Sequence, residues 1–262
     1  MVSLSEYIRI RHISSLAKWL NENDDRKGLH VTDLVYGCMR YARWVVRARE
    51  EDRTRNIDEA GLTRLAIGKL IDMIAFGDWH HVDLLYVNPR GHELRGQIDD
   101  IIFAGLENGR PVLVVVDKKT VEGIPPKIAH SHYISQVETY IAMLMSGAEI
   151  VGVECGRFTK QDLIDYVMDA EAIYGAILYI DISFSTKTKV SDVKILGRYT
   201  RSWANERIRE INGMMDVVYD PLEEDAEPTP TWFCQYCPIM NECYNNISHS
   251  LNVELEGRDY GG

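Results

Sequence analysis

Four cysteines constrain this chain more than any other feature: Cys38 stands near its start, and Cys234, Cys237 and Cys243 fall close together near its end. The late three are spaced x2 and then x5 and call for a fourth ligand, for which Cys38 is the candidate. A centre built from these four would clasp the two ends of one unit. Ordinary zinc ribbons take their ligands as two nearby pairs, which this spacing does not supply. An iron–sulfur cluster accepts split ligation, because four thiolates need only converge in space. Zinc also suits four thiolates, so the residues alone leave both metals open. Trp232, Phe233 and Tyr236 stand beside the triplet as a candidate aromatic shield. The fifth cysteine, Cys155, follows the apolar run Ile150–Val153 and reads as a small buried hydrophobe.

The odd number of cysteines, with no basic flank and apolar block in Met1–Tyr7, argues for metal ligation over a disulfide framework and for a cytoplasmic location. No apolar run approaches the ~20 residues that span a bilayer, so no membrane role is expected. The 262 residues, 45% hydrophobic and 26% charged, suit an ordinary globular protein with a large core. A net charge of -11 disfavours a nucleic-acid partner as a global sum, but phosphate binding is local. Arg40, Arg43, Arg47, Arg49, Arg53 and Arg55 cluster after Cys38, either as a solvated helix face or as a phosphate-contacting strip.

Residues 5–22 carry apolar positions at helical spacing, a second helix runs through Tyr41–Arg49, and a third spans about Ile57–Phe76. From Val82 the pattern changes to strand. Val82–Val87, Glu93–Phe103 and Val112–Lys119 form an antiparallel meander joined by Asn88-Pro-Arg-Gly91 and Glu107-Asn-Gly-Arg110. Its third strand is continuously apolar over Val112–Val116 and is expected at the centre of the sheet. A helix over His130–Met145 ends at Gly147, Thr159 caps another, Tyr174–Ile182 and Val190–Leu196 return to strand, and Thr200–Met215 is a long helix. Pro221–Pro230 is an acidic linker that feeds the cysteine triplet.

The meander carries a candidate active site. Period-two alternation puts Asp117 and Lys119 on one face of the third strand and Lys118 on the other. Asp99 and Asp100 point oppositely on the second strand, so only one of them can join that site. Gln136 and Tyr140 share a helix face and could hold phosphate or orient Lys119. Paired carboxylates with a lysine beside them meet the needs of a hard divalent ion that polarises a phosphoryl oxygen.

With these motifs the chain resembles the RecB-like nucleases that carry an iron–sulfur cluster, and within them the CRISPR-associated Cas-four family, over roughly residues 30–245. Val31-Thr-Asp-Leu34 before Cys38 resembles that family's first cysteine motif; Gly96-x-Ile98-Asp99 and Asp117-x-Lys119 match its PD-(D/E)xK core, and Gln136-x3-Tyr140 its QxxxY motif. The resemblance implies an α/β, restriction-endonuclease-like core of mixed sheet flanked by helices, with an iron–sulfur-binding C-terminal segment. It divides the chain into an N-terminal helical region over 1–77, a nuclease core over 78–220 and a linker with cluster-binding segment over 221–262, together one compact unit. It implies a 4Fe-4S cluster on Cys38, Cys234, Cys237 and Cys243, and magnesium or manganese on Asp99 and Asp117, with Lys119, Gln136 and Tyr140 completing the site. The expected activity is exonuclease action on single-stranded DNA ends, trimming spacer precursors alongside CRISPR integrase proteins. A DNA-binding or assembly subunit with weak turnover, or a general repair nuclease, are the alternatives.

Two departures from the family pattern stand out. Its GxxxH histidine corresponds to Asp72 in Gly68-x3-Asp72, which would then join the metal ligands. Gly77-x3-His81 also spells GxxxH but falls at a strand entrance, and a surface role is expected for His80 and His81. Residues 148–173 read as an extra helix near the DNA groove or a partner-binding insertion.

Overall fold

The computed structural model describes residues 27–51, 59–125, 130–183 and 191–220, together with residues 6, 11–15, 229, 231, 233, 234, 237–240 and 243. Most of the helix expected over 5–22, Arg53, Arg55 and nearly all of the acidic linker lie outside the described residues. The described elements run, in order, β1 (Leu29–His30), α1 (Val31–Leu34), α2 (Met39–Glu50), α3 (Glu59–Asp72), β2 (Trp79–Val87), β3 (Glu93–Glu107), β4 (Arg110–Val121), α4 (Ser131–Met145), β5 (Glu149–Cys155), α5 (Lys160–Asp169), β6 (Ala172–Asp181), β7 (Ser191–Thr200) and α6 (Arg201–Tyr219).

The meander forms as its turns dictate. Asn88 accepts the backbone N–H groups of Arg90 and His92 on its side-chain oxygen, and Gly91 takes the left-handed conformation at φ +86°. At the next turn Asn108 and Gly109 both have positive φ, 53° and 79°, and Glu107 pairs with Arg110, the geometry of a two-residue hairpin. The sheet has seven strands in the order β5-β2-β3-β4-β6-β7, with β1 added beside β3. β4 pairs antiparallel with β3 and parallel with β6, so the sheet is mixed. Parallel pairing needs a crossover, and the stretch from α4 through β5 and α5 supplies it.

Residues 148–173 hold a helix, as expected, and also a strand that was not expected to join the sheet. Their β5 forms one edge of the sheet against β2, and α5, capped by Thr159 with Asp162, leads into β6. Local sequence cannot reveal this, because the partner of β5 lies some seventy residues upstream. Cys155, expected to be buried, is exposed because it ends that edge strand.

Val137, Ile141 and Leu144 of α4 join Leu113, Val115, Ile173 and Ile177 of β4 and β6 in one core with Ile208, Ile211 and Met215 of α6. Burying each such side chain contributes on the order of 1.5–3 kcal/mol. The arginine cluster of α2 is turned partly inward. Arg43 is buried and donates to the Asp220 carbonyl, while Arg49 pairs with Asp33 and donates to the Gly28 carbonyl. These two are neither a solvated face nor a phosphate strip; they tie α2 to the chain on either side of the core.

Candidate active site

The site begins where the sheet forks. β3 pairs with β4 from Glu107 back to Asp100, opposite Val116, and with β1 at Leu94 and Arg95. Between these two ladders the Asp99 carboxylate accepts the Lys118 backbone N–H, so a side chain takes the place of the next ladder bond. The fork leaves a cavity of about 170 Å³ lined by Gly68, Asp72, Asp99, Asp117, Lys119 and Gln136, among others. Asp99 is the member of its pair that faces the cavity. Asp100 is fully buried on the other side, beside Lys118 and His80, as strand alternation requires.

Lys119 donates at 3.1 Å to both Asp117 Oδ1 and Gln136 Oε1, and Gln136 Nε2 donates at 3.0 Å to the Tyr140 hydroxyl. The helical pair thus orients the lysine instead of pointing into open solvent. Tyr140 lies against Gly96, where an added Cβ would sit 2.7 Å from the ring, so close approach of α4 to β3 requires glycine there.

Electrostatics tighten this picture. Burial, and then the Asp117 carboxylate, push Asp99 up to about 8 against the opposing pull of Lys119. Asp117 is likewise raised by burial, with the charge and hydrogen bond of Lys119 resisting. Burial alone would lower Lys119, but Asp117 and Asp99 outweigh it and hold the ammonium above its usual range. Burial raises Tyr140 well above an ordinary phenol, so it keeps its proton.

Asp72, at the end of α3, joins Asp99 and Asp117 around the cavity. Burial pushes its carboxyl up, but the hydrogen bond and charge of His81, with Lys118 and His80 behind, outweigh burial and hold it below the ordinary value. The surface role expected for the two histidines is incorrect. His80 is buried with Nδ1 3.1 Å from Asp100, and His81 is held between Asp72 and Glu154, each at 3.2 Å. The hydrogen bond to Asp72, supported by Glu154 and opposed by burial, raises His81 to about 9. The register shift that follows His80 sets His81 beside it at φ +45°, and no sequence pattern announced it.

Lys118 was overlooked as a structural residue. Its ammonium pairs with Asp100 at 3.1 Å and donates to the carbonyls of Asp72 and Ile74, while Asp100 also accepts the N–H groups of Phe76 and Gly77. This clamp ends α3 at Asp72 and holds that carboxylate at the cavity. The only sequence signal was the alternation that put Asp100 and Lys118 on the opposite face.

The donor set suits a hard divalent cation: three carboxylates line the cavity, without an oxygen from each lying within 4.8 Å of the other two, and Asp72 Oδ1 has no hydrogen-bond partner among the described residues. Asp72, Asp99 and Asp117 would hold magnesium or manganese, which when bound polarises a phosphoryl oxygen and acidifies water. Binding must displace the proton on Asp99, so affinity depends on pH. Because Asp99 is raised, its contribution to stability is full below the usual carboxylate range and is lost as pH rises through about 8. Manganese affinity, measured by titration calorimetry, should rise by about tenfold per pH unit between pH 6 and 8 for this one-proton exchange. A flat profile would show that Asp99 is not a ligand.

Of the four cysteines expected to bind a cluster, Cys38 and Cys237 lie together at the start of α2. Cys38 caps that helix and packs with Tyr41, Phe233 and Cys237, and the Cys237 thiol is raised by burial and then by Cys243, Cys38 and Cys234. No three of the sulfurs lie within 4.8 Å of one another, so they are not arranged as a cluster.

A forked mixed sheet with a carboxylate on one branch, and a carboxylate and a lysine two residues apart on the other, defines the class of PD-(D/E)XK phosphodiesterases. The family model of the PD-(D/E)XK nuclease superfamily matches residues 14–244, and the chain belongs to that superfamily. Membership implies a nuclease and, with it, DNA binding. No curated protein matches the chain. The crystal structure of SSO0001 is similar over 90% of this chain and 96% of that one, at 15% identity and a TM-score of 0.44, which is too weak to carry any argument. No helix among the described residues is long and apolar enough to cross a membrane.

Proposed function

We propose that the chain is a magnesium- or manganese-dependent exonuclease acting on single-stranded DNA ends, with Asp72, Asp99 and Asp117 as metal ligands and Lys119 as the charge-stabilising group. The observation that carries this reading is that three carboxylates line one cavity beside a lysine that stays protonated. A protonated lysine cannot serve as a base, so its part is to stabilise charge on the phosphoryl group in the transition state. Gln136 and Tyr140 position it. On the Cas-four resemblance, the activity would serve to trim spacer precursors beside integrase proteins. That resemblance also assigns Cys38, Cys234, Cys237 and Cys243 to a 4Fe-4S cluster, supported by their spacing and by the packing of Cys38 with Cys237. The role of that cluster would be to clasp the chain ends.

One observation favours the second reading, a DNA-binding assembly subunit without turnover: His81 already engages the Asp72 carboxylate that a metal would need. A time course on end-labelled single-stranded DNA with manganese, using anaerobically purified protein of measured iron content, separates the two. Brown protein that shortens the label from an end only with metal supports the exonuclease. Binding without shortening supports the subunit, and colourless, iron-free protein would remove the cluster.

A further inference from the structure

Beyond the carboxylate cavity, we propose that His80, His81 and Glu154 form a second, chemically distinct metal site that takes a zinc-class divalent ion. One ligand atom from each residue lies within 4.8 Å of the other two, and this is the only such group of three among the described residues. Successive residues of a strand ordinarily face opposite sides of a sheet. Here the β2–β5 register shifts after His80, and His81 sits at φ +45°, a left-handed conformation costly for any residue but glycine. The two imidazoles consequently stand with ring centroids 3.7 Å apart. Glu154 is the residue directly opposite His80 on β5, so backbone pairing delivers the carboxylate to the same place. Strain of this kind is sustained where a specific side-chain arrangement needs it.

The second, independent observation is the state of His80. The residue is 3% exposed and its Nε2 is buried with no hydrogen-bond partner among the described residues, while Nδ1 meets the Asp100 carboxylate at 3.1 Å. A carboxylate on one ring nitrogen fixes the proton there and leaves the other nitrogen as a lone-pair donor, the usual outer-sphere arrangement around a histidine bound to metal. An unsatisfied buried nitrogen otherwise costs on the order of 1–3 kcal/mol. His81 differs in having a carboxylate on each nitrogen, Asp72 on Nε2 and Glu154 on Nδ1, so an ion would replace the proton between Nδ1 and Glu154 while Asp72 kept its hold on Nε2. The 3.2 Å between His81 Nδ1 and Glu154 Oε1 is close to the roughly 3.4 Å between neighbouring ligands of a tetrahedral ion with bonds of about 2.1 Å. Two imidazoles and one carboxylate select zinc, cobalt or iron over magnesium, whereas the all-oxygen cavity nearby selects the reverse. Occupied, the site would join β2 to the edge strand β5 and fix the ring of His81 against Asp72.

Cobalt titration of the full chain tests this, because cobalt on nitrogen and oxygen ligands gives ligand-field bands without the charge-transfer absorption that thiolates produce. The expected result is one cobalt equivalent free of thiolate bands, bound in the presence of excess magnesium and displaced by zinc. Glu154→Gln, an exposed position that leaves the core untouched, should weaken this equivalent by about 10–100-fold, as should His80→Asn. Asp99→Ala should retain it. The proposal is overturned if Glu154→Gln binds cobalt unchanged, if every equivalent carries thiolate bands, or if Asp99→Ala abolishes the equivalent. In the wild-type protein, hyperfine-shifted N–H signals from two histidine rings are expected; their absence from the cobalt-loaded form would equally refute it.

Discussion

Asp117→Asn should reduce manganese-dependent DNA cleavage by about 10³-fold while leaving the apo protein at least as stable as the wild type at pH 8. Both halves follow from the same geometry. The loss arises because one of three carboxylates around the cavity no longer contributes charge, and a metal that stabilises the transition state by several kcal/mol is bound or oriented poorly. Stability is retained because Asp117 and Asp99 repel each other: Asp117 helps to push Asp99 up to about 8, and a neutral amide ends that repulsion. Asparagine keeps an oxygen for the Lys119 ammonium, so the hydrogen bond to Asp117 is preserved in form. Cleavage rates and apo thermal unfolding, measured with and without manganese, check this. The wild-type protein should gain stability with manganese and the variant should gain far less. Cleavage within a factor of ten of wild type would remove Asp117 from the site, and a marked loss of apo stability would show that its charge is structurally required. Such trade-offs are common where function demands like charges in close contact.

Lys118→Met should destabilise the protein by about 3–5 kcal/mol, because Asp100 would be left as a buried carboxylate without its cation. The Lys118 side chain is 4% exposed and that of Asp100 is 0% exposed, so neither can recruit water in place of the other. The lysine also donates to the carbonyls of Asp72 and Ile74, so the end of α3 loses anchors at the same time. Denaturant titration gives the size of the effect. The double variant Lys118→Met with Asp100→Asn should recover a substantial part of the loss, since the amide still accepts the Phe76 and Gly77 N–H groups without requiring a counter-charge. No recovery would mean that the backbone anchors, not the ion pair, carry the effect.

The contrast between these two lysines shows what was legible in the sequence. Strand alternation separated Lys119 from Lys118, and helical spacing joined Gln136 to Tyr140; both are local periodicities and both are realised. The meander followed from turn residues that can take positive φ, at Gly91, Asn108 and Gly109. Elements whose partners lie far away were less legible. β5 is an edge strand only because β2 receives it, and Arg43 is internal only because Asp220 comes to it from another end of the chain. His80 and His81 escaped for a different reason: a bulge reverses the expected face of a residue, and nothing in Trp79-His-His-Val82 encodes one. Asp72 was expected inside a helix running to about Phe76 but ends that helix, and it contacts His81 across the entrance to β2.

The strand order also bears on how the chain is made. Asp72, Asp99, Asp117, Lys119 and Gln136 all leave the ribosome before residue 172, whereas the strand that closes the far edge of β4 is Ala172–Asp181. A nascent chain at that stage carries every proposed cutting residue, yet β4, with its apolar run over Val112–Val116, still presents a bare row of N–H and carbonyl groups. Such an edge invites pairing with another chain. Translation through β6 is therefore the interval in which this protein most needs protection from its own copies, and truncations ending between α4 and β6 should be recovered as aggregate.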